Sequence, residues 1–143
     1  MSNVFRVLTV IFGCFLIWLI YQRDIGANTE VVELISGIPY GDKWGHFFLF
    51  GTLTFITILA TRFHRFNSTK LSVFYSSSLI VAVIVTLEEL SQLFIETRTF
   101  EVLDLTADAL GITFFSLLAR AIESRLIKRD KLEPISTEKQ HEV

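Results

Sequence analysis

The most informative stretch for the architecture is VLDLTADALGITFFSLLARAI, residues 102–122, because it is apolar enough to cross a membrane and yet contains aspartates near its start. A bilayer core about 30 Å thick is crossed by roughly 20 residues of α-helix. The stretch reaches that length only when Asp104 and Asp108 are counted as part of the span. An ionisable side chain at membrane depth normally faces the interior of a helix bundle, where it finds partners. The sequence therefore predicts a membrane helix whose aspartates face other helices.

Further apolar runs of membrane-spanning length cover about residues 4–21, 46–63 and 71–87, and the last of these helices should continue to about residue 94. The first run is at the upper limit for the apolar core of a signal peptide, and no small-residue cleavage site follows it, so we expect a retained helix. Hydrophobic residues make up 51% of the 143-residue chain and charged residues 20%. We therefore predict an all-α polytopic membrane protein, with a four-helix transmembrane domain over residues 1–123 and a charged, disordered tail over residues 124–143.

The charges in the loops predict the orientation of the spans, because cytoplasmic loops are enriched in lysine and arginine. The loop between the second and third spans carries Arg62, Arg65 and Lys70, and the C-terminal tail begins with several more basic residues. The other loops carry mostly acids, and residues 29–36 of the first loop are expected to form a short surface helix. Both termini should therefore lie in the cytoplasm. The net charge of −2 provides no basic field, so no nucleic-acid partner is expected.

Polar residues gather at the predicted outer ends of the second, third and fourth spans. His46 lies four residues after Asp42 and three after Lys43, so these side chains can share one helical face. Gly111, with Ala107 nearby, would let another backbone approach the polar stripe of the fourth span. Such a concentration of ionisable groups indicates one shared pocket closed by several helices. The residues predicted to line it and to bind a ligand are Asp42, Lys43, His46, Glu89, Gln92, Arg98, Asp104 and Asp108.

His46 and Glu89 are the candidates for acid–base catalysis, since positioned imidazole and carboxyl groups transfer protons in enzymes. The structural alternative for His46 is a hydrogen bond to Asp42 or to an acid on a neighbouring helix. Adjacent helix residues point about 100° apart. We therefore expect Glu89 inside the bundle, with Glu88 paired with Arg98 or near lipid headgroups. The alternative is that the acids lie at a water-exposed helix end.

The remaining pocket residues also have more than one interpretation. Arg98 could hold the phosphate of an anionic lipid through paired hydrogen bonds, or it could form a salt bridge to Asp104 or Glu89. Asp104 alone fits an N-cap of the fourth helix, whereas Asp108, one turn deeper, fits a pocket residue better. A metal site built from His46, Glu89, Asp104 and Asp108 is chemically possible. Because no local metal-binding motif supports that site, neither a metal nor a cofactor is predicted.

The order of these motifs resembles that of the VanZ-like membrane proteins. The chain has DKWGH at residues 42–46, EELSQLF at 88–94, Arg98, and DLTADALG at 104–111. The family pattern is D-K-x-x-H, then E-x-x-Q, then an arginine and D-x-x-A-N-x-x-G. Asp108 stands where the family usually has asparagine, which adds a possible charge. The residues that match the pattern are Asp42, Lys43, His46, Glu89, Gln92, Arg98, Asp104, Ala107 and Gly111.

The resemblance implies a multi-pass protein of the bacterial cytoplasmic (inner) membrane with an envelope-related role, since the name-giving member is associated with resistance to the glycopeptide teicoplanin. The first hypothesis is an accessory protein that binds an anionic lipid headgroup or a lipid-linked glycan precursor. The second is a membrane-embedded hydrolase or transferase that acts on a lipid-linked phosphate. The third is a structural subunit whose polar network specifies helix packing. Expected partners are membrane lipids, a lipid-linked envelope precursor, and a second copy or another membrane protein.

Overall fold

The computed structural model describes residues 2–27, 30, 33–34, 37–66 and 74–138. It contains α1 (Ser2–Asp24), α2 (Gly41–Ala60), α3 (Ser76–Ser91), a 3-10 turn (Gln92–Phe94) and α4 (Val102–Glu138). Four helical segments are long and apolar enough to cross a membrane, namely α1, α2, α4, and α3 together with the 3-10 turn that follows it. The described part of the chain is therefore helical without a strand, and the prediction of four apolar spans is confirmed.

The fourth helix is longer than the sequence predicted. We expected a disordered tail from residue 124, but α4 continues without a break to Glu138. The residues that follow the span, ESRLIKRDKLE at 123–133, are mostly strong helix formers, so the helix has no local reason to stop at the membrane boundary. Residues 139–143 of the predicted tail lie outside the described residues.

Two other predicted segments are described only in part. In the expected surface helix over residues 29–36, Glu30, Glu33 and Leu34 are helical, and the other residues lie outside the described ones. The predicted start of the third span at residues 71–73 is also outside the described part, and α3 begins at Ser76.

Helix α2 is the centre of the bundle, since it packs against α1, α3 and α4. All four helices contribute side chains to one apolar cluster near the middle of the bundle, formed by Leu16, Phe50, Val81, Val85 and Ile112. Van der Waals packing of this kind is the main attraction between helices in a membrane. Large aliphatic side chains on the outward faces remain exposed, as lipid contact requires.

The closest crossing in the bundle lies between α2 and α4. A Cβ atom added to Gly111 would lie 3.0 Å from the Cα and carbonyl carbon of Phe47, and closer still to its carbonyl oxygen. One turn further along α2, a Cβ at Gly51 would meet the ring of Phe115. The predicted role of Gly111 as a point of close backbone approach is confirmed. This crossing brings His46, the neighbour of Phe47, against the start of α4.

Polar contacts join the helices at the end of the bundle where α2 ends and α3 begins. The Tyr75 hydroxyl donates a hydrogen bond to Glu123 at 2.8 Å, and Arg65 forms an ion pair with the same carboxylate at 2.5 Å. The Arg65 guanidinium also lies 4.5 Å from the centre of the Tyr75 ring. Burial and the Glu123 carboxylate raise the pKa of Tyr75 to about 12, so its hydroxyl remains a donor at neutral pH. These contacts join the loop before α3 to α4.

Candidate functional site

The polar residues meet at one end of the bundle, where α1 and α3 end and where α2 and α4 begin. Arg23, at the end of α1, forms an ion pair with Asp42 in the first turn of α2. Lys43, the next residue of α2, forms ion pairs with Glu101 and Asp104 at the start of α4. The sequence predicted this gathering for the second, third and fourth spans. The contribution of α1 was not predicted.

His46 lies at the centre of the site, only 6% exposed, between acids of two other helices. Its Nδ1 atom is 3.1 Å from both carboxylate oxygens of Asp108 on α4. The same nitrogen is 3.6 Å from Oε1 of Glu89 on α3, and Nε2 is 4.0 Å from Oδ2 of Asp104. Of the partners considered from the sequence, His46 therefore takes an acid of a neighbouring helix as its hydrogen-bond acceptor.

The end of α3 places its adjacent acids in different surroundings. Glu89 is fully buried, and its Oε1 accepts a hydrogen bond of 3.1 Å from Nε2 of Gln92. The Glu88 carboxylate lies 3.9 Å from Arg98, and its Oε1 accepts a hydrogen bond of 3.2 Å from the same Nε2 of Gln92. Oε2 of Glu89 and Oε1 of Gln92 are buried and make no hydrogen bond within the described residues. The structure thus places Glu89 inside and Glu88 beside Arg98, as predicted.

Asp104 belongs to the first turn of α4, because the helix begins at Val102. Asp104 is thus the third residue of the helix and not its N-cap, so the N-cap prediction is wrong. An acid in the first turn still interacts favourably with the helix dipole, as was also predicted. Nζ of Lys43 lies 2.8 Å from Oδ1 of Asp104, whose side chain is 5% exposed. Lys43 is also 3.4 Å from Asp42, so this one ammonium group joins α2 to α4 through several acids.

Arg98 takes a partner that the sequence did not suggest. Its Nη1 donates a hydrogen bond of 3.1 Å to Asp24 at the end of α1, rather than to Asp104 or Glu89. Its side chain is 8% exposed. Arg23 and Asp24 directly follow the first predicted span, and that position at its outer end was a signal that they could join the cluster.

A cavity of about 80 Å³ lies between α1, α2 and the end of α3. One part of its wall is aliphatic and aromatic, and the other part carries the charged residues of the site. Its apolar lining consists of Leu16, Leu19, Ile20, Leu49 and Phe50, and its other lining residues are Arg23, Asp42, Gly45, His46, Glu88 and Arg98. The predicted residues Asp42, His46 and Arg98 thus share this cavity.

Some of the acids and His46 are close enough together to hold a metal ion. The ligand atoms of His46, Glu89 and Asp108 all lie within 4.8 Å of one another, and those of Asp42, His46 and Asp104 do so as well. The first set is fully buried and comes from three different helices. No metal was predicted because the sequence contains no local metal-binding motif. Ligands that come from separate helices leave no such motif.

Comparisons of the chain with protein-family models, curated proteins and solved structures find no match. The similarity of its motifs to those of the VanZ-like proteins remains a prediction based on the residues quoted above.

Proposed function

We propose that this chain is a VanZ-like protein of the bacterial cytoplasmic membrane that binds an anionic lipid headgroup or a lipid-linked glycan precursor in an envelope-related role. The observation that carries the proposal is the composition of the cavity wall. Aliphatic side chains of α1 and α2 line one part, and Arg23 and Arg98 lie at the polar end together with the acids Asp42 and Glu88. A lipid phosphate has a matching structure, because its apolar chain could lie against the aliphatic wall while its anionic group meets the arginines. Such a pairing of an apolar wall with a few polar groups is typical of small-molecule sites.

Arg98 is the residue best placed to bind the phosphate. A guanidinium group has five N–H donors, and the hydrogen bond described for Arg98 is the one to Asp24. The Glu88 carboxylate, at 3.9 Å, is too far for a second hydrogen bond. Arg98 therefore retains further donors, and its side chain lines the cavity. Arginine binds phosphate oxygens through pairs of such donors.

Lipid binding is tested by native mass spectrometry of gently extracted wild-type protein beside Arg98→Gln. Arg65→Gln is the matched control, since Arg65 also pairs with one acid but lies at the opposite end of the bundle. We expect a defined phospholipid or lipid-linked phosphate adduct in wild type and Arg65→Gln, and at least a tenfold smaller adduct fraction in Arg98→Gln. Equal retention by all three proteins would refute the proposed site.

The orientation of the protein decides which leaflet the cavity serves. Arg62 and Arg65, between α2 and α3, lie at the end opposite to the cavity, and basic loops favour the cytoplasm. We propose that both termini are cytoplasmic and that the cavity faces outward. In a Cys14→Ser background, Thr99→Cys should react with a membrane-impermeant maleimide in intact cells, whereas Ser124→Cys should react only after lysis. The reverse pattern would place the cavity on the cytoplasmic side.

A second candidate function is favoured by the His46–Asp108 pair, because a carboxylate that orients a histidine is a common arrangement in general-base catalysis. His46 also lines the cavity. The protein would then be a hydrolase or transferase acting on a lipid-linked phosphate, with Glu89 and His46 as acid and base. Turnover of a lipid phosphate that Glu89→Gln abolishes, with binding retained, supports this function. Binding without turnover across a panel of lipid phosphates leaves the accessory role.

The third hypothesis, a structural subunit with a polar packing network, makes a different prediction. Neither adduct nor turnover would be found, and replacement of the pocket residues would lower stability only. A defined lipid adduct in wild type excludes a purely structural role.

A further inference from the structure

We propose that His46, Glu89 and Asp108 form a binding site for one divalent transition-metal cation, such as Zn²⁺, held by one imidazole nitrogen and carboxylate oxygens. The three residues come from α2, α3 and α4, so the cation would join these helices at the inner wall of the cavity. The site does not depend on the proposed lipid function, and it is measured separately from lipid binding.

The distances between the ligand atoms fit a zinc ion. Zinc binds nitrogen and oxygen at about 2.0–2.2 Å, so two ligand atoms of a tetrahedral ion lie about 3.3 Å apart. Nδ1 of His46 is 3.1 Å from the Asp108 carboxylate and 3.6 Å from Oε1 of Glu89. These separations lie on either side of the value required, and the ligand atoms of all three groups lie within 4.8 Å of one another, so a bound ion would draw the carboxylates closer together by side-chain rotation.

The charge of the cluster also favours a cation. Within the described residues, Glu89 and Asp108 form ion pairs with His46 alone. Glu89 is 0% exposed, and its Oε2 atom has no hydrogen-bond partner among the described residues. An unpaired buried carboxylate is costly, and it is usually paired, protonated or bound to a metal. A divalent cation bound by the Glu89 carboxylate would neutralise both acids.

Gln92 and Asp104 lie next to two of the proposed ligands and are placed to orient them. Gln92 donates a hydrogen bond to Oε1 of Glu89, which fixes that carboxylate and leaves Oε2 free. On the other side of the imidazole, Asp104 lies 4.0 Å from Nε2 and is held by Lys43 at 2.8 Å. Metal-bound histidines usually donate their second N–H group to a carboxylate, which orients the ring. Asp104 is the carboxylate nearest to Nε2, but at 4.0 Å it is beyond hydrogen-bond distance, so the ring would have to shift slightly on metal binding to make that contact.

The test measures zinc bound to tag-free, full-length protein in mild detergent. The protein is stripped with a chelator, titrated with ZnCl₂, desalted and analysed by inductively coupled plasma mass spectrometry. We expect one zinc ion per chain in wild type and at least a tenfold loss of affinity in Glu89→Gln and Asp108→Asn. Asp104→Asn should weaken binding by about 10–100-fold, as outer-shell substitutions do.

Matched controls separate this site from other residues of the same type. Glu88→Gln removes the adjacent acid on α3, and His64→Gln removes a histidine that contacts Ser76 elsewhere. Both variants should retain zinc. Equal loss of zinc in Glu88→Gln and Glu89→Gln would overturn the proposal, and so would wild type that binds no more zinc than the Glu89→Gln/Asp108→Asn double variant.

A thermal melt gives a second readout that does not require every variant to fold. A cation that binds only the folded state raises the melting temperature by mass action. The wild-type melting temperature should rise with ZnCl₂ and not with an equal concentration of MgCl₂. If zinc does not raise the wild-type melting temperature, the proposed site is wrong. The buried acids would then be neutralised by shared protons.

Discussion

Replacing Gly111 with alanine should loosen the α2–α4 crossing that brings His46 to Asp108. The added Cβ would lie 3.0 Å from the Cα and carbonyl carbon of Phe47, and closer to its carbonyl oxygen. All three atoms belong to the backbone, so no side-chain rotation can relieve the contact. The helices must move apart.

The size of that movement follows from ordinary contact distances. Carbon atoms in contact are about 3.5–4.0 Å apart, so the helices must separate by about 0.5–1 Å. Overpacking of this kind costs about 1–3 kcal/mol, while the change from glycine to alanine favours the helix by about 1 kcal/mol. Gly13→Ala is the matched control, since a Cβ at Gly13 meets no atom within 4 Å. Gly111→Ala should therefore be less stable than Gly13→Ala by about 1–3 kcal/mol.

The assay is reversible unfolding in mixed micelles with increasing SDS, followed by circular dichroism. A separation of about 0.5–1 Å would also lengthen the 3.1 Å contact between His46 and Asp108. Zinc affinity should therefore fall in Gly111→Ala and not in Gly13→Ala. If Gly111→Ala is as stable as Gly13→Ala and binds zinc equally well, the inferred close crossing does not control the site.

Other substitutions test the remaining contacts. Lys43→Met leaves the buried Asp104 without its cation, which should cost about 3 kcal/mol in micelle unfolding, and Lys43→Met combined with Asp104→Asn should recover part of it. Leu49→Trp fills the cavity without a change of charge and should reduce the lipid adduct, whereas Leu117→Trp, at a residue 60% exposed, should not. The raised pKa of Tyr75, about 12, means that its protonated phenol stabilises the fold below about pH 10 and that this contribution is lost as the pH rises from 10 to 12. Wild type should therefore lose more stability than Tyr75→Phe over that range, and parallel melting curves would contradict this.

The architecture was predictable because the membrane leaves few choices. A spanning segment must satisfy its backbone internally, so an apolar run of about 20 residues indicates a helix almost regardless of its neighbours. The fourth span was recognisable even with its aspartates, and α4 includes both of them. Gly111 was predictable as a close-approach residue for a similar reason, since small residues allow membrane helices to pack at short distance.

The pairing of the charged residues was not predictable from the sequence. His46 and Asp108 are 62 residues apart, and Arg98 and Asp24 are 74 residues apart. Which acid meets which base depends on the rotation and crossing of each helix, and neighbouring acids offer nearly equivalent partners. The extent of α4 was missed for another reason. Its charged segment after the membrane is polar in composition, but its residues favour a helix.

The cavity and the proposed metal site share His46, so we expect an occupant of one to affect binding at the other. A cation at His46 would attract a lipid phosphate held by Arg98, and the phosphate would in turn stabilise the cation. Thermodynamic linkage requires the two effects to be equal, and coupling between sites is typically about 5–150-fold. Zinc titrations in nanodiscs with and without anionic lipid, and lipid titrations with and without zinc, should therefore give one common factor. A common factor near one would show that the phosphate stays at the arginines, beyond reach of the ion. A larger factor would place headgroup and cation in a single site.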